Sequence, residues 1–183
     1  VRKSLIILFV ILSATLTAHA EWTEPVRITH GLGPIGTRAV IVEDTIHVIA
    51  QGGPLADFYY LRSNDNGQTW TDPVKPYPDS IDATESQDIT YSNGYLHIVF
   101  KGYIWGGQDR LYHISSNDGG RTCSELHQIF VNGWSWLRVV ANFDTVFVSH
   151  VNTANKLLLS RSFDRGVTWE DPIYIENQHE CGI

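Results

Sequence analysis

The 183-residue chain has no methionine and two cysteines. Cys123 and Cys181 are not spaced like a small disulfide scaffold or a metal site, so they are either one bridge or two separate thiols. Cations are scarce as well: 13 Lys and Arg stand against 20 Asp and Glu, for a formal charge of −7. That balance argues against nucleic acid, whose phosphates require clustered Lys and Arg. It leaves anionic sugars open, because a few local arginines reverse the field inside one pocket. No apolar run reaches the twenty or so residues that span a bilayer. Phosphate loops, dinucleotide fingerprints and Gly-x-Ser-x-Gly elbows are all missing, and no cofactor is expected. His179-Glu180-Cys181 carries ligand-type side chains but has no partner cluster, so no metal is expected either. Glu85 with Asp88, or Asp79 with Asp82, could pair as carboxylates for glycoside hydrolysis, though charged loop residues are ordinarily just solvated.

The N-terminus has a pattern of its own. Val1-Arg2-Lys3-Ser4 is basic, residues 5–12 are apolar, and Ala18-His19-Ala20 supplies a small-x-small cleavage site. Residues 1–20 are therefore expected to be a signal peptide, with the mature chain starting at Glu21 and destined for a secreted, periplasmic or extracellular location. A membrane anchor is the alternative, disfavoured because the apolar run is short. Val1 reads as an alternative start codon, or else as the first residue of a fragment.

The rest is organised by a repeat. Ser63-Asn64-Asp65-Asn66-Gly67-Gln68-Thr69-Trp70 returns as Ser162-Phe163-Asp164-Arg165-Gly166-Val167-Thr168-Trp169. A third copy, Ser116-Asn117-Asp118-Gly119-Gly120-Arg121-Thr122-Cys123, has cysteine in the tryptophan position. Such residues make a tight turn: Asp accepts backbone N–H groups, Gly supplies a positive φ, and the hydroxyls close local bonds. The tryptophan covers the turn with apolar area. A short strand follows each turn, and Trp22-Thr23-Glu24-Pro25-Val26 is the same unit without its turn.

Alternation and turns place four short strands in each repeat. Innermost strands are expected at residues 38–42, 87–91 and 137–141, second strands at 45–50, 95–100 and 145–150, and third strands at 58–62, 110–115 and 156–161. The blades end near residues 73–76, 126–130 and 172–175. A period of about fifty residues with four strands each is the signature of propeller blades.

The pattern resembles the Asp-box, or BNR repeat, of sialidases and related β-propellers. The resemblance implies an all-β propeller over residues 21–183, with three blades and one N-terminal strand present. Three blades do not close a ring, so the expectation is the N-terminal half of a six-bladed protein, or a half-ring that closes by pairing with a second chain. Ser63, Asp65, Gly67, Trp70, Ser116, Asp118, Gly120, Ser162, Asp164, Gly166 and Trp169 are then structural turn residues.

In an antiparallel blade these turns share one face with the first-to-second turns, and sialidase-like sites lie on the opposite face. The expected binding face holds residues 30–37, 51–57, 77–86, 101–109, 131–136 and 151–155. Its aromatics are Tyr77, Tyr103, Trp105, Trp134 and Trp136, which suit sugar rings; packing between blades is the competing role. A sialidase also requires three arginines on a carboxylate, an aspartate acid/base, and a tyrosine paired with a glutamate. Arg38 and Asp57 are the catalytic candidates in this chain. The first inner strand reads Gly36-Thr37-Arg38-Ala39-Val40-Ile41 rather than the family's Arg-Ile-Pro. Two functions follow: exo-sialidase hydrolysis of glycans, or a non-catalytic binding or scaffold propeller, with the missing motif favouring the second. Carbohydrate or glycoconjugate is the expected partner in both.

Overall fold

The structure, a computed structural model, describes residues 24–25, 27–29, 36–52, 57–104, 106–131 and 136–175. The expected signal peptide and Cys181 lie outside them. Strands β1 (Gly36–Val42), β2 (Thr45–Gln51) and β3 (Phe58–Ser63) form the first antiparallel sheet. The second comprises β4 (Ile81–Ser92), β5 (Tyr95–Ile104), β6 (Arg110–Ser116) and β7 (His127–Val131). The third comprises β8 (Arg138–Asn142), β9 (Thr145–Val151), β10 (Leu157–Ser162) and β11 (Ile173–Tyr174). Each sheet is a meander, the blade expected from the repeat.

Local chemistry explains the hairpins. Asn93 and Gly94, between β4 and β5, have φ of 47° and 87°, the geometry of a two-residue turn whose twist matches its strands. In the first blade the fourth strand shrinks to one bridge between Tyr60 and Val74, with reciprocal N–H···O distances of 2.8 and 3.0 Å.

One expectation needs correcting. β4 begins at Ile81 rather than at 87 and pairs with a prolonged β5 through Ile104, across a bulge between Ala83 and Gln87. Much of the segments 77–86 and 101–109 is therefore ladder, not loop. The stretch Ile81-Asp82-Ala83 conceals this because the bulge breaks the alternation by which strands are recognised.

The three sheets stack side by side, with β1 packed along β4 and β4 along β8. Between the first and second blades lies a cluster including Ile49, Phe58, Tyr60, Ile98, Phe100 and Ile114. Between the second and third lie Val99, Leu111, Ile129, Leu137, Val146 and Val148. The middle blade is thus sandwiched, and β5 is buried without a break from Leu96 to Phe100. By contrast β9 and β10 alternate between buried and partly exposed residues, as strands covered on one face do.

Candidate functional site

The three repeat turns close with the same bonds. Ser63 Oγ donates to Asp65 Oδ1 at 2.7 Å and accepts from Gly67 N at 2.8 Å. Asp65 Oδ1 accepts the Thr69 N–H at 2.8 Å, and Oδ2 accepts the Thr69 hydroxyl at 2.5 Å. Ser116, Asp118, Gly120 and Thr122 repeat this at 2.7 to 2.9 Å. Ser162, Asp164, Gly166 and Thr168 do so at 2.6 to 2.9 Å. Trp70 and Trp169 add an indole bond to the carbonyls of Gly67 and Gly166, at 3.1 and 3.0 Å. Bonds from Thr69 and Ser63 hold the Asp65 carboxyl down at about 2, fully charged and wholly engaged. A carboxylate in that state is a poor proton donor. Asp144, in the β8–β9 turn, accepts from Arg165 Nε at 2.6 Å, so both kinds of turn lie on one face of the stack.

Chemistry is better placed on the inner strands. Arg38, Asp88 and Arg138 occupy the same register step of β1, β4 and β8: they pair with Ile49, Val99 and Ser149, each four residues into its second strand. Arg38 Nε lies 3.7 Å from Asp88 Oδ1, across the boundary between the first two blades. Asp88 Oδ2 in turn accepts the Val139 N–H at 3.0 Å, and the Ser86 hydroxyl accepts from Leu137 N at 3.4 Å. Arg138 is exposed and has no acidic partner among the described residues. Both guanidiniums also bond the carbonyl just before them, at 2.9 Å for Arg38 and 2.8 Å for Arg138. The result is charge at one register step on the inner strands of three neighbouring blades, with Arg38 paired to Asp88. Gln87, in the same strand as Asp88, is buried with its Oε1 unpartnered among the described residues. Arg138 carries no local motif; only the register of three blades reveals it.

The other candidates divide. Asp57 is engaged away from Arg38: it accepts the Tyr77 hydroxyl at 2.7 Å and lies 3.4 Å from Lys75 Nζ. Tyr77, expected to face sugar, is instead buried, its ring packed on Phe58 and Phe100 and its hydroxyl bonded to Asp57. Its burial and the Asp57 carboxylate both push its hydroxyl up. Tyr103 sits in the prolonged β5 opposite Asp82, partly exposed. Trp136 is 77% exposed at a φ of 71°, two residues before Arg138. Trp105 and Trp134 lie outside the described residues.

Histidines, passed over in the sequence, line the blade boundaries. His47 Nδ1 is 2.7 Å from the Tyr60 hydroxyl. His97 Nδ1 is 3.0 Å from His113 Nε2, and His150 Nε2 is 3.0 Å from Ser160 Oγ. Burial lowers His47, His97 and His150 to about 4; burial and then its neighbours His97 and His127 lower His113 to about 3. Their periodic signal is that His47 and His97 fall on the same step of the repeat.

These blades are of the sialidase-like β-propeller type. Solved structures of similar fold include a Hadza microbial sialidase, at 17% identity and a TM-score of 0.60, over 74% of this chain and 32% of that one. The BP39L lectin of Burkholderia pseudomallei matches at 14% identity and a TM-score of 0.60, over 85% of this chain and 46% of that one. Trypanosoma rangeli sialidase matches at 16% identity and a TM-score of 0.55, over 76% and 27%. The chain thus spans between about a quarter and a half of their lengths. No family model and no curated protein matches it.

Proposed function

We propose that this chain supplies three Asp-box blades, the N-terminal half of a larger ring, to an exported propeller that binds glycans. The observation that carries this reading is the Arg38–Asp88–Arg138 row on neighbouring inner strands, with Trp136 exposed beside it. Guanidinium forks suit sugar hydroxyls and carboxylates, and an exposed indole offers the apolar face on which a pyranose stacks. The bonding of the three turns supports the Asp-box assignment. Similarity to both sialidases and a lectin fits a glycan partner without deciding between cleavage and binding.

Binding is the better supported of the two. Asp57, the acid/base candidate, accepts the Tyr77 hydroxyl and is paired with Lys75, so its oxygens are engaged away from Arg38 and the row of inner strands. The test is titration of the protein with sialyllactose and with lactose, alongside a fluorogenic sialoside assay. Arg138→Ala and Trp136→Ala should each weaken glycan binding about tenfold or more, while the wild type releases no fluorophore. Turnover that disappears in Asp57→Asn would overturn the binding reading in favour of hydrolysis; no binding to any glycan would sink both.

A further inference from the structure

The fully buried imidazole nitrogens without a hydrogen-bond partner among the described residues are His97 Nε2, His113 Nδ1 and His150 Nδ1. All three belong to one boundary, that between the second and third blades. His97 and His113 project from β5 and β6 toward the third blade, and His150 projects from β9 toward the second. The His113 ring edge meets Trp169 at 5.6 Å and packs against Gly166, so tightly that a Cβ at Gly166 would overlap it. His150 packs on Phe130 of β7 at 5.1 Å. The first boundary differs. Its buried histidine among the described residues, His47, is one ring against three and has the Tyr60 hydroxyl, an oxygen that accepts from an imidazolium as readily as it donates to an imidazole. Burial and Arg62 lower it to about 4 as well, so this boundary also weakens in acid, but through one group.

We propose that the boundary between the second and third blades is an acid-labile seam, which opens as pH falls from neutrality toward 4.5 before the first two blades separate. Protonating His97 places a charged ring in a stack with no acceptor for its Nε2–H among the described residues. Protonated His113 has only the Gly166 backbone to offset its burial, and it cannot retreat because Gly166 and Trp169 pack against it. The charged groups that face this stack are few. His127 of β7 lies 6.4 Å from His113 and is itself basic. Tyr95 of β5 stacks on His97 at 6.2 Å and carries the Arg165 guanidinium 4.8 Å over its ring, which adds positive charge. Asp164 in the third-blade turn is the nearby carboxylate, but Ser162 and Thr168 occupy it. Asp88 is committed to Arg38 and Val139 N.

The sign follows. These groups have folded pKa values below the ordinary 6.5, so the opened or unfolded chain takes up protons first. The docked state is fully favoured above about 6.5 and loses ground as pH falls toward the folded values near 4. Opening also carries Arg138 away from Arg38 and Asp88, so a ligand held across the row, on the function proposed above, is released in acid.

Amide hydrogen exchange on the chain at pH 7 and at pH 4.5, corrected for intrinsic rates, tests the seam. Amides of β8, β9 and β10 should lose at least tenfold protection relative to those of β2 and β3. In His97→Phe/His113→Leu, which installs the residues that Phe147 and Leu159 supply at the same steps of the third blade, that difference should fall below twofold. His113→Gln, neutral at every pH, is the variant to use if the double change does not fold. Equal loss of protection in all three blades, or an unchanged difference in either variant, overturns the proposal, and neither outcome depends on a glycan.

Discussion

Two neighbouring glycines provide the sharpest check on how the blades dock. Gly119 and Gly120 share one turn and have φ of 70° and 77°, so alanine at either carries a similar left-handed penalty of about 1–2 kcal/mol. They differ in what a methyl group meets. At Gly119 it approaches only the flexible end of Arg121, 3.5 Å away, while at Gly120 it overlaps the hydroxyl of Tyr60 on the preceding blade. Tyr60 is 4% exposed and bonded to His47 at 2.7 Å. Moving it adds overpacking of about 1–3 kcal/mol and a lost buried hydrogen bond of about 1–3 kcal/mol. Gly119→Ala should therefore cost about 1–2 kcal/mol and Gly120→Ala about 3–8 kcal/mol, a large part of a domain's total. Urea denaturation at pH 7.5 measures both. Adding Tyr60→Leu, the residue type found at the same step as Leu159, should recover at least about 1 kcal/mol in a double-mutant cycle. Two glycine variants within about 0.5 kcal/mol of each other, or a cycle without coupling, would refute docking through the turn.

Cys123→Trp should stabilise the chain by about 1 kcal/mol, seen as a raised thermal midpoint, because an indole there can bond the Gly120 carbonyl as Trp70 and Trp169 bond theirs. A lowered midpoint would mean that the second turn is built around the smaller residue. Ser63→Ala removes a buried hydroxyl that both donates to Asp65 and accepts from Gly67 N; it should cost about 1–2 kcal/mol in urea while leaving glycan affinity unchanged. A loss of affinity equal to that of Arg138→Ala would instead tie the turns to the ligand.

What the sequence discloses and what it hides divide along a physical line. Strands and turns are local: alternation over five or six residues and an Asn-Gly or Ser-x-Asp-x-Gly cluster suffice, and β2, β3, β6 and β9 match their expected spans to within a residue. The inner strand of the second blade escaped at its start because a bulge breaks the period. The site escaped for a different reason. Arg138 resembles any surface arginine until three registers align it with Arg38 and Asp88, and Tyr77 resembles a sugar platform until Phe58 and Phe100 close around it. Asp57 is a candidate only by its position in the family pattern, and its partners depend on how residues 57 and 75–77 meet in space. The histidines were legible as periodic positions, yet only the packed boundary shows that their rings are enclosed.

The docking contacts also have a direction. At each boundary the receiving groups, Tyr60 and Arg62 or His113 and Tyr95, stand on the earlier blade, while the inserted groups, Gly119 and Gly120 or Arg165 and Gly166, stand on the later one. Each inserted turn closes on itself through bonds only four residues apart. A ribosome that delivers this chain therefore completes every receiving surface before the turn that fills it emerges. Blades can be added one at a time in chain order, with no need to wait for a distant segment.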